Sequence, residues 1–180
     1  MKETCAMPQL LARSFGALAL GGGLALGAFS VVTEPTAAVA ATKPHGSFLS
    51  AELPGEVKSV RAVRDTLVGE IEHHTASATV GGTELSITAT ELPGFVTAVT
   101  SDNMLYRKAR RELLRNYDGT SSAWSSCSHA GYACRLLRYV GDDGRKGVAR
   151  FYLHDGVLVV VNAVYVDDDA IAKRFLASVK

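Results

Sequence analysis

The stretch AWSSCSHAGYACRLLRYVGDDGRKGVARFYLHDGVLVVVNAVYV, residues 123–166, decides the fold. Turn sequences divide this stretch into four short, largely apolar segments, which is typical of strands. Residues 142–144 and 154–156 are Asp- and Gly-rich turn sequences that tolerate a left-handed backbone. The stretch therefore predicts an antiparallel meander with strands at 123–128, 132–140, 147–153 and 157–166. The last of these begins with a continuous apolar run, so we expect that strand to be central.

The segment before this meander also has strand chemistry. The period-two pattern predicts strands at 48–53, 57–63, 69–79 and 83–91. A Pro-Gly turn ends the first, and Gly81-Gly82 predicts a hairpin between the last two. Leu85, Ile87 and Ala89 would share one face of their strand.

Two helices complete the expected architecture. One runs from Ser101 or Asp102 to Asn116, with its apolar residues on one side at 100° per residue. A shorter helix at 170–178 follows the Asp167-Asp168-Asp169 run, whose carboxylates suit a helix N-terminus. The predicted fold class is α+β: an antiparallel β-sheet of about six to seven strands with one long amphipathic helix and a short C-terminal helix.

Composition excludes several classes of protein. The chain has 180 residues, 47% of them hydrophobic, with 19 Lys and Arg against 18 Asp and Glu. A hydrophobic content this high excludes a disordered tail or a collagen-like fibre. A net charge of +1 gives no overall field that would attract nucleic acid, and we expect no nucleic-acid partner.

The N-terminal 41 residues are typical of an export signal. Lys2 and Arg13 precede an apolar run at 15–32, and small residues at 38–40 predict cleavage after Ala40 or Ala41. The alternative is an uncleaved signal that anchors the protein in a membrane by residues 15–32. We expect a linker at 42–47, a single α+β domain at 48–180, and a periplasmic or extracellular location.

Export determines the expected oxidation state of the cysteines. Removal of the signal takes away Cys5 and leaves Cys127 and Cys134 in an oxidising compartment, where a disulfide is expected. A bridge of this short loop would contribute about 2.5 kcal/mol in the chain-entropy model. A zinc site or a Cys127 thiolate with His129 as its base are weaker alternatives, because each lacks further converging groups.

Several sequence segments carry a resemblance to a known family. They are 48–55, the hairpin ending in Glu91-Leu92-Pro93, the Gly131 segment and the closing residues 150–152 and 175–178. The order of elements resembles the PsbP-like fold of extrinsic photosystem subunits and a Ran-binding relative, and the segments resemble small exported bacterial domains of unassigned function. The resemblance implies a non-catalytic module that binds or stabilises other components, with no catalytic residues and no cofactor.

Other polar clusters predict no metal site. His73 and His74 with Glu72 form the densest set of candidate ligands, but neighbours on a strand point to opposite faces. We therefore expect exposed histidines there. The aspartates at 167–169 lack the spacing of a calcium loop, and helix capping accounts for them.

The long helix carries the most distinctive surface. Five cations lie within nine positions, and Glu112 is the one acidic residue among them. The cations are Arg107, Lys108, Arg110, Arg111 and Arg115. They predict contact with an anionic partner; the alternative is a solvated face that serves solubility. Trp124 is either an exposed contact or part of the core.

These observations predict an exported, non-enzymatic binding or structural module that acts through an unknown protein or cell-envelope component. Membrane contact is expected only through an uncleaved signal. The alternative function is a small-molecule-binding or hydrolytic domain with a cleft between sheet and helix, using His129 or His154.

Overall fold

Seven antiparallel strands form the central sheet of the protein. The computed structural model describes residues 39–66 and 69–180, so the predicted signal peptide 1–41 and its apolar run 15–32 lie outside the described residues, apart from 39–41. The strands are β1 (Val39–Thr42), β2 (Ala51–Pro54), β3 (Lys58–Thr66), β4 (Gly69–Val80), β5 (Thr83–Glu91), β6 (Thr120–His129), β7 (Tyr132–Val140), β8 (Lys146–His154) and β9 (Val157–Tyr165). The helices are α1 (Gly94–Val99), α2 (Asp102–Asn116) and α3 (Ala170–Ala177).

The strand order confirms the predicted fold class. The large sheet runs β3-β4-β5-β9-β8-β7-β6, and β1 and β2 form a separate two-stranded sheet. The apolar strand β9 lies in the middle, as its continuous apolar run predicts. Strand β9 connects the β3–β5 part of the sheet to the β6–β8 part, because it pairs with β5 on one side and with β8 on the other.

Each face of the large sheet packs against a different helix. On one face, Leu85, Ile87 and Ala89 are buried together with Phe175 and Leu176 of α3. Successive side chains of every strand alternate between the two faces of the sheet. On that second face, Phe151 and Leu158 pack with Tyr106 of α2. The sheet is therefore sandwiched between α3 and α2.

The predicted linker at 42–47 is packed against the domain. Thr42 pairs with Ala51 as the last residue of β1, and Pro44 and Ser47 are buried. The Ser47 hydroxyl donates to the Leu49 carbonyl at 2.6 Å. The segment packs because the fully buried Leu49 fixes it to the core. The predicted cleavage site falls within β1, so a mature chain would keep only its last one or two residues.

The start of the first predicted strand also differs. Residues 48–50 are not part of β2; instead Ser50 exchanges two backbone hydrogen bonds with Lys180, both at 3.0 Å. The C-terminal end of the chain supplies these partners. The alternation of residues 48–53 predicts an extended backbone, but it cannot predict that Ser50 pairs with Lys180.

Helix α1 is an element that the sequence pattern did not predict. It follows Pro93, whose φ of −55° suits a helix start, and Val96 donates to the Pro93 carbonyl at 2.8 Å. None of its residues is buried. In residues 39–66 and 69–180, no helix combines the length and apolar character that a membrane span requires.

Candidate interaction surface on helix α2

The apolar side of α2 fixes the helix on the sheet. Leu105 and Tyr106 are buried, and Ala109, Leu113 and Tyr117 pack against the same cluster as Phe151 and Leu158. The helix begins at Asp102 and ends at Asn116, as the sequence predicts. Because one side is committed to the sheet, the opposite side faces solvent.

The solvent side of α2 carries four exposed cations: Arg107, Lys108, Arg111 and Arg115. We call these four residues the basic face. Within the described ranges, none of them forms an ion pair with a carboxylate. Arg107, Arg111 and Arg115 form two i, i+4 pairs of like charge, and each pair destabilises a helix by about 0.2–0.5 kcal/mol, a repulsion that the single Glu112 offsets only in part. The arrangement is thus electrostatically unfavourable for the isolated domain.

Arg110, the fifth predicted cation, has a different environment. It is half-buried, and its guanidinium carbon lies 5.3 Å from the centre of the Trp124 ring. Trp124 in turn packs edge-on against Phe151 at 5.5 Å, so the tryptophan belongs to the edge of the core. The buried Nε of Arg110 makes no hydrogen bond to the part of the chain that the structure describes. Arg110 therefore connects α2, the helix that carries the basic face, to Trp124 of β6.

A second arginine connects the start of α2 to the same strand. Arg135 of β7 donates one nitrogen to Asn103 Oδ1 at 2.9 Å and another to the Ser126 hydroxyl. Asn103 lies in the first turn of α2 and Ser126 lies in β6. These contacts place α2 directly beside the outermost strand of the sheet.

The predicted disulfide lies on the other face of the sheet. Cys127 and Cys134 are directly opposite each other in β6 and β7, with their sulfurs at bonding distance. This uses the thiol that a cysteine nucleophile would need. His129 instead contacts the Tyr152 hydroxyl at 3.3 Å, and burial together with the nearby Arg150 charge lowers the pKa of His129.

His154 is part of an aromatic cluster. Its ring lies 5.4 Å from Phe48 and 5.2 Å from Tyr132, and those two rings lie 4.9 Å apart. The predicted alternative of a cleft enzyme would use His129 or His154. His129 is held by its contact with the Tyr152 hydroxyl, and His154 packs against two aromatic rings.

The two histidines lie on opposite faces of β4, as predicted, but the expectation that they are exposed is wrong, because both are half-buried and His74 packs edge-on against His45 with ring centres 5.0 Å apart. His74 contacts Glu72 at 3.1 Å, whereas His73 contacts the Thr90 hydroxyl at 2.8 Å on the other face. Arg61 forms an ion pair with Glu72, and this hydrogen bond lowers the pKa of the Glu72 carboxyl. Among the described residues, no group of three ligands converges on one point.

Two shallow pockets flank α3. The first, of about 250 Å³, is lined by Asp167, Asp168 and Ile171 among others, and the second, of about 200 Å³, by Ile171 and Phe175 among others. Asp168 accepts the Ala170 backbone N–H at 2.8 Å and so satisfies one donor of the first turn, whereas the N-cap residue Asp169 makes no side-chain capping hydrogen bond. Both pockets lie on the α3 side of the sheet, away from the basic face.

Comparison with known proteins supports the architecture. No protein-family model matches the chain, and no curated protein matches it. Among solved structures, it is similar to the solution structure of PsbP from the cyanobacterium Synechocystis sp. PCC 6803. The two share 13% sequence identity with a TM-score of 0.50, over 86% of this chain and 98% of that one. The fold is PsbP-like.

A second solved structure is more distant. It is a Pseudomonas aeruginosa protein of unknown function described as a candidate regulator, with 13% identity and a TM-score of 0.30 over 74% of this chain and 87% of that one. A similarity this low supports no argument. The PsbP likeness confirms the predicted fold, and at this identity it shows the fold alone.

The PsbP-like domain also exposes apolar side chains that the sequence analysis did not single out. Phe95 and Val99 of α1 are 47% and 80% exposed, and Met104 at the start of α2 is 61% exposed. Pro93 before an apolar segment was the available signal for α1. These side chains lie next to the basic face in sequence.

Proposed function

We propose that this PsbP-like domain is an exported, non-enzymatic binding module that contacts an anionic protein or envelope component through the basic face of α2. The observation that carries the proposal is the set of four exposed cations without an ion-pair partner in the described residues. The chain as a whole is nearly neutral, at +1, so the positive charge is a local feature of one helix. Local charge of this kind steers and orients an oppositely charged partner.

The energetic cost of the basic face supports a binding role. Like charges at i, i+4 oppose helix formation, whereas alternating charges would serve solubility equally well. An anionic partner would remove this repulsion on binding. The domain therefore has a physical reason to bind anions at α2 more strongly than elsewhere on its surface.

Reversal of three charges on the basic face tests the contact. We expect the combined changes Arg107→Glu, Arg111→Glu and Arg115→Glu to reduce partner capture at least about tenfold, because attraction becomes repulsion. Capture is measured in the native host by a photoreactive residue placed at Lys108. The melting temperature should stay the same, since all three side chains are exposed and the like-charge spacing is retained.

A matched control separates this surface from total charge. Lys58, Arg138 and Lys146 are exposed on strands, and changing them to glutamate alters the net charge by the same amount. We expect capture at Lys108 to persist in that variant. Equal loss in both variants, or equal capture after reversal of the basic face, would contradict the proposed function.

Export has its own test. An intact mass of the protein purified from its native host without reduction should begin at Ala41 or Thr42, because the N-terminal segment is typical of a cleaved signal. It should also be lower than the reduced mass by about two hydrogens, as a Cys127–Cys134 bridge requires. A full-length mass would show that the signal is retained, and reactive thiols at both cysteines would show that the bridge does not form in the host.

A further inference from the structure

Strand β6 is an edge of the large sheet that carries no charged residue or proline and that no other described strand covers. Its ten residues, TSSAWSSCSH, include no Lys, Arg, Asp, Glu or Pro. The opposite edge strand, β3, carries the exposed cations Lys58 and Arg61. Natural edge strands are commonly blocked by charge or proline, because an open edge pairs with other chains. Within residues 39–66 and 69–180, charged side chains therefore block the β3 edge of the sheet, and no charge or proline blocks the β6 edge.

The turn after β6 shows which backbone groups face outward. Ala130 and Gly131 both have positive φ, 53° and 79°, as in a two-residue type I′ hairpin turn. In such a turn His129 and Tyr132 are hydrogen-bonded to each other. Hydrogen-bonded and non-bonded pairs then alternate along the ladder.

By this alternation, Ser125 and Cys127 bond to β7, whereas Trp124, Ser126 and Ser128 direct their N–H and C=O groups away from it. The register is regular from Ala123 to His129, since the one irregularity lies between Ser121 and Ala123. In the described part of the chain, the backbone hydrogen bonds outside regular elements involve none of these three outward residues. A continuous row of donors and acceptors is available to an incoming strand.

The open edge adjoins the positive charge of α2. The side chains of Trp124 and Ser126 lie on the α2 face of the sheet, where Arg110 covers Trp124 and Arg135 bonds Ser126. At 100° per residue, Arg107 lies on the same flank of the helix as Arg110. Alternate side chains of an added strand would point to this face and meet these guanidinium groups.

The positive charge of α2 beside β6 determines which kind of strand can pair with this edge. A second copy of this chain paired through β6 would place two α2 helices on the same face of the joined sheet, with their cations close together. An extended segment with carboxylates would instead pair with the guanidinium groups of Arg107 and Arg110. We propose that the β6 edge binds an extended acidic polypeptide segment by strand addition, with its carboxylates facing Arg107 and Arg110. This rests on the proposed function and names the partner of the same surface.

Amide hydrogen exchange tests the proposal on the unaltered protein. The probe is a peptide of about eight residues that alternates Glu and Val, the length of an ordinary strand. At about 90% occupancy, the amides of Trp124, Ser126 and Ser128 should exchange about tenfold more slowly, because only the free fraction exchanges. The amides of Ser125 and Cys127 should already be protected in the free protein.

A proline variant gives a second readout. Ser128→Pro removes an outward N–H and leaves the β7 ladder intact, so it should weaken peptide binding at least about tenfold. Ser128→Ala is the matched control and should bind like the parent. Melting temperatures of both variants show whether the fold is kept, and the exchange experiment decides the matter if the proline variant does not fold.

The remaining outcomes separate this inference from the proposed function. In one outcome, the acidic peptide binds and reversal of the basic face abolishes this binding, but the three outward amides stay unprotected. This outcome would overturn strand addition and would leave the proposed role of α2 intact. Equal protection by a peptide alternating Lys and Val would overturn the acidic assignment. Protection by neither peptide would overturn the inference as a whole.

Discussion

The change Gly147→Ala is expected to destabilise the protein by about 3 kcal/mol, which lowers the melting temperature by about 10 °C for a domain of this size. Gly147 of β8 lies directly opposite Tyr139 of β7. A Cβ at Gly147 would lie 2.0 Å from Cζ of the Tyr139 ring and 2.3 and 2.5 Å from the two Cε atoms. The added methyl group would therefore occupy space that the ring fills.

The ring has no free direction in which to move. Tyr139 is 1% exposed, its hydroxyl donates to Asn162 Oδ1 at 3.0 Å, and Tyr117 packs against it with ring centres 5.6 Å apart. A Cβ at Gly119 would also contact the ring, at 3.2 Å. Relief of the overlap would have to come from the strands themselves, which is why we expect a large effect.

Two comparisons show whether the ring is the cause, with stability measured by chemical denaturation. Gly94→Ala is a matched control, because no heavy atom lies within 4 Å of a Cβ there, and its effect should stay within about 0.5 kcal/mol. In a Tyr139→Ala background, the added cost of Gly147→Ala should fall close to zero. The same cost in both backgrounds would mean that another contact makes glycine necessary.

Asn162→Leu is the second change with a large expected effect, a loss of about 2–3 kcal/mol in the free energy of unfolding. Asn162 is 3% exposed in the central strand β9. Its Oδ1 accepts from the Tyr139 hydroxyl, and its Nδ2 donates to the Tyr117 hydroxyl at 3.3 Å. A leucine fills similar space but leaves both hydroxyl groups without this partner, and an unsatisfied buried polar group costs about 1–3 kcal/mol.

Removal of the hydroxyl groups should restore stability. In a protein that already carries Tyr139→Phe and Tyr117→Phe, Asn162 has itself lost these two partners, so Asn162→Leu should raise the free energy of unfolding there, because it removes an unpaired buried amide. Urea denaturation of the four combinations measures this coupling. If Asn162→Leu costs the same with and without the hydroxyl groups, the hydrogen bonds do not account for its effect.

Local chemistry predicted much of the fold. The hairpin at Gly81-Gly82, the meander of β6 to β9 and the bounds of α2 each follow from residues that are close in sequence. The facing positions of Cys127 and Cys134 also follow, since a two-residue turn at 130–131 sets the register of that hairpin. Turn type and side-chain period are local properties, so a single sequence is enough to read them.

The candidate site was only partly predictable. The spacing of the cations indicated a basic helix, but it could not show that Arg110 covers Trp124 while Arg107 stays exposed. The helix α1 was missed because its six residues are too few to establish a helical period in the sequence. The sequence of β6 indicated a strand, with no sign that it would be an edge.

The sequence by itself determined which residues form strands, which helix is basic and which two cysteines face each other. The tertiary structure decided the order of the strands, and with it the open edge at β6, the pairing of Ser50 with Lys180 and the placement of Gly147 beneath Tyr139. The physical reason is that side-chain period specifies which face of an element is buried but not which distant element covers it. That choice depends on long-range packing, where strands such as β5 and β9 meet across 65 or more residues of intervening chain.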